Sequence, residues 1–230
     1  MPKEIIEYFK DLTGINLFVK PTVIKNKIDV FCQKENISKD NLLHLLQTNN
    51  TLKEKFINYF TTNETYFFRE YHQIEEFAKK ASKDNKFYSI LSLPTSSGEE
   101  AYTIAIALLE EGKKDFKVLG VDISQEMIEK AKIGRYKKNR LRKTPQKIIQ
   151  KYFIQDGDYY IIKDEVKRFV EFKQMNLFDE KIYQLGKFDA IFFRNLLIYF
   201  DEDTKKRAVE IINRLKKPDG VIYFGHADFF

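Results

Sequence analysis

The sequence predicts an α/β fold, with a parallel twisted sheet that follows a small helical domain and carries an antiparallel insertion. Three observations lead there. From residue 87 onward, short apolar runs alternate with helical stretches. Residues 1 to 66 read as amphipathic helices and contain one glycine, Gly14. Between residues 158 and 174 the rhythm shortens to that of paired strands. A chain of 230 residues, 43% of them hydrophobic, is long enough to bury one sizeable core and a companion domain.

In the helical part, Ile5, Ile6, Phe9 and Leu12 fall at helical spacing, as do Leu42, Leu45 and Leu46, and then Phe56, Ile57, Tyr59 and Phe60. Asp40 and Thr51 are the candidate N-caps. FYSILSL (87–93) reads as a buried strand, PTSSGEE as a turn, and AYTIAIALLEEG (101–112) as an apolar helix stopped by Gly112. KVLGVDI (117–123) is a second strand, and the next helix runs from an N-cap at Ser124 to Gly134. FDAIFF (188–193) is a third strand, DTKKRAVEIINRLK (203–216) a helix and GVIYFG (220–225) a fourth strand. DYYII and KRFVEF, separated by KDEV, predict an antiparallel hairpin within an insertion at about 152–174. The expected domains are 1–66, helical, and 67–230, α/β.

Charge and cysteine content narrow the function classes. Forty Lys plus Arg against 34 Asp plus Glu give a formal net charge of +6, which favours an acidic partner. The excess is concentrated, since nine basic residues and no acidic one lie between Lys132 and Lys151. That run is either a docking field or a solvated surface. One cysteine, Cys32, excludes an internal disulfide, and three scattered histidines offer no metal-ligand spacing. No apolar run approaches the ~20 residues of a membrane span or the pattern of a signal peptide. The expectation is a cytoplasmic protein with no membrane insertion and no metal.

Three strings carry chemistry. In open α/β sheets ligands sit beyond the carboxyl ends of the strands, where an acidic side chain holds ribose hydroxyls. Gly98 in the first turn and Asp122 at the end of the second strand stand in that relation. One glycine, where a dinucleotide fingerprint has three, suits a cofactor without phosphates. S-adenosylmethionine has that character, and Glu99 and Glu100 beside the turn suit its positive charges, or else simply begin a helix. The second string, TTNETYFFRE (61–70), joins the two domains and is too aromatic for a plain linker. Its Arg69 offers a planar fork for a carboxylate, or makes a surface ion pair. The third, FDAIFFRNLLIYFD (188–201), puts Arg194 and Asn195 at a strand's carboxyl end, with Tyr199 five residues on as a site or core aromatic.

Together with GVDIS and the closing GVIYFGHAD, these strings resemble, in order and approximate spacing, the chemotaxis receptor methyltransferases, the CheR family of protein-glutamate methyltransferases. The resemblance covers nearly the whole chain. It implies a Rossmann-like S-adenosylmethionine-dependent methyltransferase domain with a small helical N-terminal domain and an inserted antiparallel β-subdomain. It also implies methyl transfer to glutamates on the acidic cytoplasmic helices of chemoreceptors, with S-adenosylhomocysteine as product. Residue by residue, it places cofactor contacts at Asn63, Thr65, Arg69, Glu100, Asp122, Asn176, Leu177, Arg194 and Asn195, and puts Arg69, Arg194 and Tyr199 nearest the reacting centre.

Some features depart from the family. The hairpin turn around Asp156 to Tyr160 is short and holds only Gly157, whereas members that dock on a receptor's C-terminal peptide tether resemble one another in a longer loop. The expectation is therefore that no C-terminal pentapeptide tether is needed, and a monomer is the default. Residues 1–70 hold ten Lys plus Arg against nine Asp plus Glu, so a basic docking helix is missing there. The chain ends at GHADFF, where members of the family continue for about another strand. A nucleic-acid methyltransferase would share fold and cofactor and use the basic run, but base-amino methylases carry an Asn/Asp-Pro-Pro-aromatic string where this chain reads FRNLLIYF. No nucleic-acid substrate is expected. A SAM-binding module without catalysis is the remaining alternative.

Overall fold

The computed structural model describes residues 2–17, 21–61 and 64–228. Five strands form the main sheet: β1 (Tyr88–Ser92), β2 (Phe116–Asp122), β6 (Val170–Gln174), β7 (Phe188–Phe193) and β8 (Lys216–Phe224). Their order is β6-β2-β1-β7-β8, and every pairing is parallel. Taken as first to fifth strands this is the doubly wound order 3-2-1-4-5, in which the winding direction reverses between β1 and β7. β1 and β7 stay paired to their carboxyl ends, where the connections leaving them run to opposite faces of the sheet and open a crevice.

Alternation along the strands divides the core in two. Leu91, Leu93, Ile191 and Phe193 face one side, which they share with α10 (Glu202–Leu215) and the helical unit of α1 (Pro2–Thr13), α2 (Pro21–Glu35), α3 (Lys39–Thr48) and α4 (Asn50–Phe60). Ile90, Ala190 and Phe192 face the other, against α5 (Tyr71–Ala81) and α6 (Glu99–Glu110). All six residues of β7 are buried, as expected of a strand covered on both faces. The helical unit thus shares one apolar core with the sheet, and the crevice is walled by both.

The expected caps shift by two residues. Ser38 accepts from the Asp40 N–H at the start of α3, and Asn49 accepts from the Leu52 N–H at the start of α4. Both have extended backbone, whereas Asp40 and Thr51 already lie in the first turns. Ser124 does cap α7 (Gln125–Ile133), which ends at a left-handed Gly134.

The insertion differs more. Its antiparallel sheet has three strands, β3 (Arg135–Lys137), β4 (Phe153–Asp156) and β5 (Tyr159–Ile162), in the order β3-β5-β4, with α8 (Gln146–Tyr152) leading into β4. The hairpin is β4–β5 around Gly157, so DYYII is its second arm. KDEV is a helical turn, α9 (Asp164–Lys167), and the expected partner arm is β6, the parallel edge of the main sheet. Packing explains the change. Val170 pairs with Val118, and the Phe172 ring lies 5.3 Å from that of Tyr102, over Gly120. A Cβ on Gly120 would come within 2.6 Å of Phe172, so the glycine makes room for the edge strand.

Candidate cofactor site at the switch point

A cavity of about 590 Å³ opens at the carboxyl ends of β1, β2 and β7, where a doubly wound sheet places its ligand. The turn after β1 gives it Pro94 and Ser96, and α6 gives Glu100 and Thr103. Asp122 and Ile123 come from the end of β2, and Arg194, Asn195, Leu196 and Tyr199 from the end of β7. The interdomain segment closes one side with Glu64, Thr65, Tyr66 and Arg69, and the helical unit adds Ile24, Lys27 and Phe60.

Asp122 is 5% exposed, and its two oxygens accept the N–H groups of Ser96 (2.8 Å) and Ser124 (2.9 Å). Burial outweighs these donors and pushes its pKa up to about 6. The Ser96 hydroxyl is buried and has no hydrogen-bond partner among the described residues. That orphan oxygen and the remaining lone pairs of Asp122 lie on the same cavity wall, a donor and acceptor set suited to ribose hydroxyls.

Arg194 is enclosed, with 2% of its side chain exposed. Its Nε donates to Glu100 Oε2 (2.6 Å), one terminal nitrogen donates to the Glu70 carbonyl and Gln73 Oε1, and the other donates to the Arg69 carbonyl. Glu100 Oε1 accepts the Ser92 hydroxyl at 2.8 Å. Arg194 is therefore a clamp that ties the interdomain segment to the sheet. Arg69 differs. It spends one hydrogen bond on its own chain, to the Glu64 carbonyl, and stands 3.8 Å from Glu70. Its other donors have no hydrogen-bond partner among the described residues.

Glu99 and Glu100 diverge because successive helix residues point about 100° apart. Glu100 faces the cavity, while Glu99 is fully buried behind it, bonded to the Ser97 hydroxyl. Asn195 sits at φ 61°, fixed by its N–H to Asp228 and its Nδ2 to Glu70 (3.1 Å), and Asp228 also holds the Leu197 and Gly225 N–H groups. Phe68 (62°), Glu70 (47°) and Ser96 (47°) share that left-handed backbone. Four such non-glycine residues around one cavity, at ~1–3 kcal/mol each, mark a site over-determined by its surroundings.

Thr65, Arg69, Glu100, Asp122, Arg194, Asn195 and Tyr199 thus meet at one cavity. Asn176 and Leu177 do not line it. The Asn176 amide ties the Leu12 carbonyl to the Phe178 N–H, and Leu177 is buried in the core beside the helical unit. Asn63 lies outside the described residues. Ser96 and Lys27 join these residues without having been expected there. Ser96 stands in the turn after β1, but nothing in the sequence brings α2 to the crevice.

A profile described as CheR methyltransferase, SAM binding domain, matches residues 63–230. The chain belongs to the CheR methyltransferase family. Similar curated relatives include the chemotaxis protein methyltransferase of Campylobacter jejuni (serotype O:2), 35% identical over 227 residues, which span 98% of this chain and 87% of that protein. That of Escherichia coli K12 is 36% identical over 197 residues, 82% of this chain and 69% of that protein. Among solved structures, PKMT2 of Rickettsia typhi in complex with AdoHcy has a TM-score of 0.44 and 19% identity, covering 70% of this chain and 26% of that one. That likeness is too loose to add to the strand order. This CheR-family chain is an S-adenosylmethionine-dependent methyltransferase, and the switch-point cavity has the donors, acceptors and volume that its cofactor requires.

Proposed function

We propose that this chain methylates glutamate side chains on the cytoplasmic helices of chemotaxis receptors, forming methyl esters. The observation that carries the reading is the cavity's polarity. Asp122 and Ser96 wait for ribose on one wall, and Arg69, with donors to spare, offers a grip for a carboxylate on the other. The relatives' shared name, chemotaxis protein methyltransferase, supports the receptor as substrate.

When bound, S-adenosylmethionine supplies a methyl group on a positively charged sulfur. A glutamate has lost its proton at neutral pH (pKa about 4.3), so the protein needs no general base. It has to supply orientation, worth as much as ~7–11 kcal/mol in well-aligned cases, and partial removal of water. Arg69 orients a carboxylate, either that of the incoming glutamate or that of the cofactor's tail. Arg194 holds the wall in place, and Tyr199 packs beside the reacting atoms. Asn63, Asn176 and Leu177 keep a cofactor role on the family resemblance alone.

Acidic receptor helices meet a surface that can hold them. Lys137, Lys138, Lys143 and Lys147 are exposed and form no ion pair among the described residues. The β4–β5 turn is Gly157–Asp158, too short to suggest a peptide-tether loop, and a monomer suffices. Among the described residues no helix is long and apolar enough to cross a membrane. The test is incubation with a purified receptor cytoplasmic fragment and methyl-labelled S-adenosylmethionine. Base-labile label mapping to glutamates is expected. Label that is base-stable, or that enters added nucleic acid instead, would refute the proposal, and tight binding of an isolated receptor C-terminal peptide would refute the tether-free docking.

A further inference from the structure

The basic run 132–151 is not all surface. Arg140 follows β3 in the inserted subdomain and lines no part of the cavity, yet one of its guanidinium nitrogens donates to the Thr65 carbonyl, and its own carbonyl accepts the Phe67 N–H at 2.9 Å. The same nitrogen stands 3.7 Å from Glu99 Oε1. Glu99 is fully buried, its Oε1 accepts no hydrogen bond among the described residues, and this guanidinium is the cation paired with it. Two residues on, Arg142 stacks on Tyr66, 3.7 Å from the ring centroid, and reaches Glu64 at 3.7 Å. Tyr136 in β3 donates its hydroxyl to the Ser97 carbonyl at 2.7 Å, so the subdomain also grips the turn that carries Ser96.

Thr65, Tyr66 and Glu64 are cavity wall, whereas Arg140, Arg142 and Glu99 stand behind it. The interdomain segment has no regular secondary structure from residue 64 to 66 to hold its shape. Its backbone is fixed from the cavity side by Arg194 and from the rear by Arg140. We infer that Arg140, supported by Arg142, is a positioning residue through which the inserted subdomain holds the segment around Thr65 in its cofactor-binding shape. This rests on the reading of the cavity as the S-adenosylmethionine site. The brace acts on the binding of the nucleoside rather than on the methyl-transfer step, because neither arginine reaches the cavity.

The test compares wild type, Arg140→Gln and Arg140→Lys in the full chain, by calorimetric titration with S-adenosylhomocysteine and by steady-state kinetics. Arg140→Gln should weaken the nucleoside about tenfold and raise KM for S-adenosylmethionine by a similar factor, with kcat at saturating cofactor within about twofold. Arg140→Lys, which keeps the charge but loses the planar fork, should recover part of the affinity. Wild-type affinity in Arg140→Gln, or an equal loss in kcat, overturns the brace. Failure of the wild type itself to bind the nucleoside would instead sink the reading of the cavity. Should Arg140→Gln not fold, Arg142→Ala decides, since it leaves the buried Glu99 pair intact. About threefold weaker nucleoside binding is expected there, and unchanged binding overturns the proposal.

Discussion

Replacing Asp122 by asparagine separates what the site costs the fold from what it does for the cofactor. In the folded protein burial raises the Asp122 pKa from 3.8 to about 6. The native state therefore holds this proton more tightly than the unfolded chain does. The associated stability is present in full below the unfolded pKa and is lost as pH rises through about 6. A rise of that size corresponds to about 3 kcal/mol, of which about 2 kcal/mol falls between pH 4.5 and 7.5. Asparagine does not titrate, and it gives up one of the two acceptors for the Ser96 and Ser124 N–H groups, a cost of ~1–3 kcal/mol that does not depend on pH. In urea unfolding of both proteins across that range, other carboxylates cancel in the difference. Wild type should lose about 2 kcal/mol relative to Asp122→Asn on going from the acid to the neutral end. Affinity should show the opposite preference. Wild type should bind S-adenosylhomocysteine about tenfold more weakly at pH 5 than at pH 7, because ribose hydroxyls donate to the ionised carboxylate. Asp122→Asn should be weaker still at neutral pH, by ~10- to 100-fold, and lack that dependence. A stability difference flat with pH, or wild-type affinity in the variant, would refute the reasoning.

The clamp and the docking face give further expectations. Arg194→Ala leaves Glu100 without its partner in a nearly dry site, so thermal unfolding should show a loss of about 3–5 kcal/mol, together with much weaker methylation. Tyr199→Ala removes the ring beside the reacting atoms and should lower kcat more than cofactor affinity, which steady-state kinetics would resolve. Normal turnover in both variants would refute the clamp role of Arg194 and the place of Tyr199 beside the reacting atoms. Reversing Lys137, Lys138 and Lys143 should reduce receptor methylation and its salt dependence, measured as rate against ionic strength, without changing binding of the nucleoside. Phe67 is fully buried, with rings 4.8 Å from Tyr136 and 5.1 Å from Phe153, so Phe67→Ala should cost ~3–5 kcal/mol in denaturant unfolding.

Periodicity carried most of the fold. Strands covered on both faces, such as FDAIFF, and helices with clear caps, such as the one after Ser124, could be read directly because burial and capping leave local marks. KRFVEF could not, since a half-exposed edge strand alternates like a hairpin arm, and only Gly120 beneath Phe172 shows which sheet it joins. In the site, the rule that ligands sit at strand ends located Asp122 and Arg194. It did not say that Arg194 would spend its donors on the chain's own carbonyls while Arg69 keeps most of its own. Lys27 and Arg140 were out of reach for a related reason. One arrives on a helix of another unit and the other hides within a run of surface lysines, and tertiary docking alone brings them to the cavity or its rear wall.

A crystal structure of the chain with S-adenosylhomocysteine tests the central claim most directly. The account predicts ribose hydroxyls within hydrogen-bonding distance of the Asp122 carboxylate, the amino-acid tail toward Arg69 and Glu100, and the sulfur beside Tyr199. A nucleoside bound anywhere but the carboxyl ends of β1, β2 and β7, or one that leaves Asp122 untouched, would contradict it.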